Sequence, residues 1–544
     1  MKIISSILLA GILLATGYTM YYMYDQQCHQ KSLIEQLKQD FSNLRPATGD
    51  AAINKPTTNG WNDLQSHTKD TVVQIFAHIS QFNWLEPYKS PNQGQVSGTG
   101  FFISEDGLII TNAHVINEAR LITIQIPHTG KERFCATLVG VSPERDLALL
   151  RLAPGELEKL TSILGKIPTL SLGDSDSVHR SDEIMALGYP LGQESLKSTT
   201  GVVSGRQHID GHYMIQISAP INPGSSGGPS LDINGLVIGV NSAGIFGGGV
   251  QNVGYIIPSN EVKLFLRQLE QMPETSGAKF LRKPFLGVLF NNGTDSLTKF
   301  LGNPPPGGLY VVETYTGSPL HKAGVLPNDM IYEIDGHKVD VFGEMNVSWN
   351  EDKISIVDYV TRLMLGDKIK LVVYRNGKRK ELVLTFGHSE LAPVRGIYPA
   401  YEKIEYEIIG GLVIMQLTLN HLPLLLQRAP ELAHYMELKH QMEPAIIITN
   451  IFGESTASQS RTIGAGAVIK EVNGERVKTL EELRKVLKKS CSTGFLTIKT
   501  TEGVFTALPF DKIMKEEEAL SENYYYPLSP TVKEVLAQCG PQKK

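Results

Sequence analysis

The stretch Ile221-Asn222-Pro223-Gly224-Ser225-Ser226-Gly227-Gly228-Pro229 decides how the rest of the chain is read. Its G-x-S-G-G register singles out Ser226, not its neighbour Ser225, as the candidate nucleophile. Gly224 lets the backbone turn so that its own N–H and that of Ser226 converge on one point. Main-chain donors over Gly224, Ser225 and Ser226 then form the candidate oxyanion site, and Gly227 and Gly228 allow close packing behind the serine. Alone, such a Gly/Ser/Pro run is usually a loop.

Two segments upstream change that balance. Thr111-Asn112-Ala113-His114-Val115 follows a β-type run, and Asp146-Leu147-Ala148-Leu149-Leu150-Arg151-Leu152 opens another with a carboxylate. A histidine near pKa 6.5 can take a serine proton and return it to a leaving amine, and a buried carboxylate fixes its tautomer. The chain order His114, Asp146, Ser226 is that of trypsin-like enzymes, not of subtilisins or α/β-hydrolases. A lone His or Asp in these settings is more often structural; their joint occurrence, in order and each in β context, favours catalysis. His179, His208 and His212 lack such a context and read as surface residues. The acidic group Asp174, Asp176 and Asp182 lacks the glycine and closing Glu of a calcium loop and reads as a solvated turn, so no metal site and no cofactor are expected.

The chain's 544 residues suggest three or four domains, and 41% hydrophobic with 20% charged residues supports several packed cores. Lys plus Arg number 51 and Asp plus Glu 56, a net charge of −5 that argues against a nucleic-acid binder. Four cysteines without a C-x-x-C exclude a small disulfide-framed scaffold and a cysteine-rich zinc module. Strand, D-G turn, strand is the grammar of Gly100–Thr111, and Leu231–Val240 repeats it with an N-G turn. Many short strands over roughly 200 residues indicate a pair of all-β barrels. A helical stretch at Ser259–Gln271 closes this region, and Thr479 with Glu482 forms a capping box for a helix to Lys489.

Residues Ile3 to Tyr24 carry no charge, and 22 residues in a helix span ~33 Å, enough to cross a bilayer. Lys2 before the run and Tyr18, Tyr21, Tyr22 and Tyr24 at its end fit an anchor with the catalytic part exported. The alternative is a cleaved signal peptide ending at Ala15-Thr16-Gly17. A polar stalk and linker follow over 25–64. The tail beyond 511, with its Lys515–Glu518 charge run and Tyr524–Tyr526 cluster, suggests no chemistry.

G-T-G-F-F-I-S, T-N-A-H-V, D-L-A-L-L-R-L, L-G-Y-P-L-G, I-N-P-G-S-S-G-G-P and V-G-Y-I-I-P-S-N together resemble the Do-like (HtrA/Deg) serine proteases. In that family the residues matching Asn222–Ser225 form a loop that must be ordered to build the oxyanion hole. Gly201–Tyr213 and Asn241–Gln251 match its regulatory loops. This chain has Ser225 where the family usually has Asn, a position that contributes mostly backbone. Downstream, Phe285, Leu286, Gly287 and Val288 resemble a PDZ carboxylate loop and its strand. Glu351–Gly366 resembles the insertion of the plant-type subgroup, and Ile469-Lys470-Glu471-Val472-Asn473-Gly474 its divergent second PDZ.

The resemblance implies a mainly-β chain: a trypsin-like double β-barrel protease at 65–272, then PDZ-like α+β domains at 280–390 and 400–510, behind an N-terminal transmembrane helix. It implies a serine endopeptidase that degrades unfolded or damaged exported proteins, binds peptide C-termini at the first PDZ domain, and assembles as a homotrimer or a multiple of it. The expected compartment is the periplasm or an organelle lumen, membrane-anchored or free after signal cleavage. The alternative is a PDZ-based chaperone or scaffold whose protease fold is structural. Ile221 and Ala243 are expected to line the substrate pocket. Pro220 stands where a trypsin would place an acid, so cleavage after small or medium aliphatic residues is expected.

Overall fold

The computed structural model describes residues 59–209, 211–244, 253–274, 277–283, 286–387 and 391–539. The anchor or signal segment 1–24 lies outside them. Among the described residues no helix is long and apolar enough to cross a membrane.

Six strands form the first barrel: β1 (Val72–Gln81), β2 (Asn92–Phe102), β3 (Leu108–Thr111), β4 (Ala119–Gln125), β5 (Phe134–Ser142) and β6 (Leu147–Leu152). Their order is β5-β4-β1-β2-β3-β6, and β6 pairs back onto β5 to close the ring. Inward-facing Val73, Ile75, Phe102, Ile109, Ile124 and Leu150 fill it. The second barrel is closed in the order β10-β11-β12-β9-β8-β7, using β7 (Glu183–Gly188), β8 (Lys197–Ile209), β9 (His212–Ile217), β10 (Pro229–Leu231), β11 (Val237–Gly244) and β12 (Gly254–Pro258). Ile184, Ile215, Ile217, Ile238 and Ile256 form its interior. β-branched residues on alternate positions, with turns at Asp106-Gly107 and Asn234-Gly235, explain both rings.

Among the described residues three helices pack on the barrels, Pro154–Leu164 setting Leu157, Leu160 and Leu164 against the first. Ser259–Gln271 lays Val262, Phe265 and Leu269 on a core shared by both. Asn59–Thr68 reaches into the stretch expected to be linker, because Trp61 and Leu64 pack onto that same core. The chain then adds β13 (Lys279–Phe280) parallel to β5. Just beyond it, Arg282 pairs with Glu144 at 2.8 Å and the Lys283 N–H donates to the Glu144 carboxylate at 2.6 Å. The connection thereby braces the turn that leads into Asp146.

A third sheet begins with β14 (Val288–Asn291), which pairs with β15 (Leu309–Thr314) and, among the described residues, has no strand on its other edge. The helix Ile356–Thr361 lies in the same unit, capped by the Ser355 hydroxyl. The last sheet carries the helix Leu480–Lys489 on one face, where Ile409, Leu412, Ile414, Ile446 and Ile448 meet Leu483 and Leu487. Its Thr479/Glu482 capping box is formed as the spacing predicts. The segment read as a chemically silent tail forms two helices, Phe510–Tyr524 and Pro530–Cys539. Ile513, Met514, Val532 and Val535 are buried there, and Cys539 is disulfide-bonded to Cys491. Cys135 is a free thiol.

Candidate active site and peptide groove

Asp146 ends a one-turn helix, Pro143–Arg145, in the left-handed conformation at φ 53°, which Asp tolerates better than most residues. That conformation turns its carboxylate toward His114. Oδ1 accepts the His114 backbone N–H at 3.0 Å, and Nδ1 of the same residue lies 2.9 Å from Oδ1 and 2.8 Å from Oδ2. Because a carboxylate only accepts, the ring proton sits on Nδ1 and Nε2 keeps its lone pair. Asn112 fixes the other side of Asp146 by donating Nδ2–H to its carbonyl at 2.9 Å. The neighbours Val115 and Ile116 are buried and hold the turn down, while the His114 side chain remains 51% exposed. Partial burial pulls the His114 pKa down, but the hydrogen bond and charge of Asp146 more than offset this, and the net shift is upward.

The turn carrying Ser226 is locked from several directions. Gly224 adopts φ 96°, and a Cβ there would meet the Tyr189 carbonyl at 2.4 Å. Gly227, at φ 87°, would place a Cβ 2.1 Å from the Thr99 carbonyl oxygen. Leu191 donates its N–H to the Pro223 carbonyl at 2.6 Å, and Thr99 donates its hydroxyl to the Gly224 carbonyl at 2.7 Å. Among the described residues, the N–H groups of Gly224 and Ser226 have no acceptor. The expectation that Ser225 adds a third donor is corrected: its N–H is bonded to the Asn222 carbonyl at 2.9 Å, and its side chain is buried against Gly188. Ser226 Oγ donates to the Ser242 carbonyl at 3.0 Å.

Ser242 links the two halves of the site. Its hydroxyl donates to Asp146 Oδ2 at 3.0 Å while its carbonyl accepts the hydrogen bond from the Ser226 hydroxyl. Its neighbour Asn241 bonds the backbone of both Gly227 and Gly228. Neither has a signature in the sequence, since each acts on residues distant along the chain. Thr99 escaped for the same reason.

The pocket expectations are placed differently. Ile221 is 3% exposed and packs inside the second barrel with Ile215, Ile217 and Ile256, so it forms no open wall here. The side chain of Ala243 lies outside the described residues. The acidic group is not a solvated turn throughout: Asp174 receives Asn260 Nδ2 at 2.7 Å, Asp182 the His179 N–H at 2.8 Å, and Asp176 pairs with Arg362. Arg362 also stacks over Trp349 at 3.7 Å.

At the third sheet, Phe285 lies outside the described residues, but Leu286, Gly287 and Val288 border a cavity of about 300 Å³. Phe290, Val357, Val360, Thr361 and Phe386 complete a mostly apolar lining. Gly287 takes φ 61°, and its carbonyl accepts the Tyr315 N–H at 2.9 Å. The Lys283 ammonium reaches the Gly211 carbonyl at 3.0 Å beside the same cavity, where burial pulls its pKa down.

Three family models match the chain: a trypsin-like peptidase domain over residues 98–240, a PDZ domain over 284–385 and another PDZ domain over 399–528. A probable periplasmic serine endoprotease DegP-like of Chlamydia pneumoniae is 31% identical over 414 residues, covering 75% of this chain and 74% of that protein. Its namesake in Chlamydia trachomatis serovar D is 29% identical over 489 residues, 86% of this chain and 87% of the other. The serine protease Do-like HtrB of Bacillus subtilis is 31% identical over 52% of this chain and 59% of that protein. Among solved structures, an HtrA-type protease AlgW with decapeptide aligns at a TM-score of 0.46 and 25% identity, covering 61% of this chain and 99% of that one. With the peptidase match, the two PDZ matches and relatives aligned across most of both chains, this chain belongs to the Do-like (HtrA/Deg) serine proteases with PDZ domains.

Proposed function

We propose that Ser226 is the nucleophile of this serine endopeptidase, His114 its general base and Asp146 the residue that orients His114 and stabilises the imidazolium it becomes. The observation that carries the reading is the bonding of the Asp146 carboxylate to both the backbone N–H and Nδ1 of His114, which leaves Nε2 as the base. In the reaction Nε2 takes the Ser226 proton as Oγ attacks the scissile carbonyl, then returns it to the leaving amine. The free N–H groups of Gly224 and Ser226 receive the oxyanion; each such donor contributes on the order of 3–4 kcal/mol in comparable sites. Water then attacks the acyl-enzyme by the same proton route, releasing the second product.

The substrates on this reading are unfolded or damaged exported proteins, cut after small or medium aliphatic residues. Pro220 stands where a trypsin would place an acid, so a cationic side chain has no partner there. An apolar slot discriminates by only ~1–3 kcal/mol per methylene, so the preference is loose. The relatives from Chlamydia are named as periplasmic, and the uncharged Ile3–Tyr24 run is an export signal or anchor, which supports the same compartment here. Assembly is in threes, as in the family the sequence resembles.

The cavity beside β14 takes the C-terminal segment of a substrate as an added strand, with Gly287 allowing close approach of its carboxylate. The β14 edge that has no strand among the described residues and the apolar lining support this. Tethering there raises the concentration of an unfolded chain near Ser226. Casein digestion with mapping of the cut bonds tests the whole reading: cuts mainly after Val, Ile, Ala or Leu support it, and cuts after Lys or Arg refute the pocket assignment. An inactive wild-type chain that still prevents aggregation of unfolded casein would establish the scaffold alternative.

A further inference from the structure

The loop joining β1 to β2, residues 82–91, is seated on the C-terminal PDZ domain. Asn83 closes its turn by accepting the N–H groups of Leu85 and Glu86 at 3.1 and 3.0 Å. Leu85 packs against the cluster of Leu417, Leu422, Leu425 and Leu432. Trp84 meets the His421 ring edge-on at 5.3 Å. Tyr88 is only 9% exposed, between Phe452 at 5.3 Å and Tyr526 at 6.1 Å. Phe452 in turn stacks on Tyr524 at 4.0 Å, which gives the Tyr524–Tyr526 cluster its role. Ile408, Val413 and Ile447 contribute to this seat and alternate along their strands with Ile409, Leu412, Ile414, Ile446 and Ile448. The loop therefore covers the sheet face opposite the Leu480–Lys489 helix.

From that seat the ribbon runs without a break toward the nucleophile. β1 and β2 are paired continuously from Gln81↔Asn92 to Val72↔Phe101. Thr99, fully buried on β2, donates its N–H to the Ser226 carbonyl at 2.9 Å and its hydroxyl to the Gly224 carbonyl at 2.7 Å. The same hydroxyl accepts the Tyr189 N–H at 3.0 Å, and the Thr99 carbonyl accepts the Thr111 hydroxyl at 2.7 Å. Seven residues of strand, ~23 Å, separate Asn92 from this junction.

We propose that the β1–β2 ribbon is a strut through which the C-terminal PDZ domain orders the oxyanion turn, with Thr99 as a positioning residue for peptide hydrolysis. A packed two-stranded ribbon fixed at both ends transmits the placement of its tip to its base. The Thr99 hydroxyl is the joint, since it holds the peptide that follows the Gly224 donor. This rests on Ser226 as the nucleophile, so cleavage surviving Ser226→Ala would remove that reading itself, whereas the readouts below address the strut.

The test uses the full chain and a short fluorogenic peptide that reaches only the catalytic site. Thr99→Val keeps the shape and N–H but removes the hydroxyl. It is expected to lower kcat by about tenfold or more, within the range lost with an oxyanion donor. KM and the pH midpoint are expected to stay as in wild type, and Thr99→Ser to restore kcat. Tyr88→Ala, at the other end, is expected to lower kcat in the same way and to speed hydrogen exchange at 222–228, with exchange in the helix Leu480–Lys489 unchanged. Leu85→Ala removes part of the same seat at less cost to folding and must shift both readouts in the same direction. Wild-type kcat in Thr99→Val overturns the positioning role. Wild-type kcat and turn exchange in Leu85→Ala and in folded Tyr88→Ala overturn the strut.

Discussion

Asp146 holds His114 at two points, its backbone N–H at 3.0 Å and its Nδ1 at 2.8 Å, so that neither the turn nor the ring can rotate without breaking a charged hydrogen bond. The same carboxylate raises the ring's pKa against the opposing effect of partial burial. Activity needs neutral His114. The rising limb of kcat/KM should therefore have its midpoint above the ordinary histidine value of about 6.5. Asp146→Asn removes the charge that raises the pKa, so it should move that midpoint down while lowering kcat by roughly 10⁴. A pH–rate series on the two proteins checks both; an upward shift in the variant would contradict the assignment.

Gly227→Ala should cost more than backbone strain alone. At φ 87° an alanine is strained, and its Cβ would lie 2.1 Å from the Thr99 carbonyl oxygen and 2.3 Å from Thr111 Oγ1. Both are held within the barrels and cannot retreat. A loss of at least about 3 kcal/mol in stability, together with loss of activity, is expected. Gly130→Ala is the control, also at positive φ (63°) but with nothing within 4 Å of the added carbon. Denaturant midpoints separate clash from strain.

Glu517 is buried beneath the loop seat, accepting the Gly410 N–H at 2.8 Å and the Tyr526 hydroxyl at 2.9 Å. Burial raises its pKa to about 7 from 4.5, so the folded chain binds a proton there that the unfolded chain has released. Stability from this group accordingly falls as pH rises from about 4.5 to about 7 and then levels off. Glu517→Gln should gain over wild type across that window, by on the order of 3 kcal/mol above pH 7. Thermal melts from pH 4.5 to 8 should show the gap opening; a gap that closes with pH would reverse the sign.

Cys491 and Cys539 join segments 48 residues apart. A closed loop of that length stabilises by about 4 kcal/mol through the unfolded state. Cys539→Ser should make the helix Pro530–Cys539 the first segment lost to limited proteolysis, with peptidase activity on a short substrate retained.

The sequence made much of this legible where the signal is local. Asp106-Gly107 and Asn234-Gly235 mark real turns, and Thr479 with Glu482 is a formed cap, because each depends on residues three or four apart. His114, Asp146 and Ser226 were visible as motifs, and the fold brings the first two into contact. Ser242 and Thr99 were not, since their partners lie 96 and 125 positions away, at Asp146 and Gly224. The Ser225 N–H is not legible as spent, because that depends on where the Asn222 carbonyl points, a property of the turn and not of the letters. Tyr524–Tyr526 looked idle in sequence because its partner, Tyr88, belongs to another domain.

The central claim is that Ser226, activated by His114, is the nucleophile. Labelling with a fluorophosphonate, followed by peptide mapping, tests it most directly, because the reagent phosphonylates only a serine whose base and oxyanion donors are in place. One adduct on the peptide containing Ser226 is predicted, lost in Ser226→Ala and His114→Ala and kept in Ser225→Ala. An adduct on Ser225, or none in a folded wild-type chain, would contradict the account.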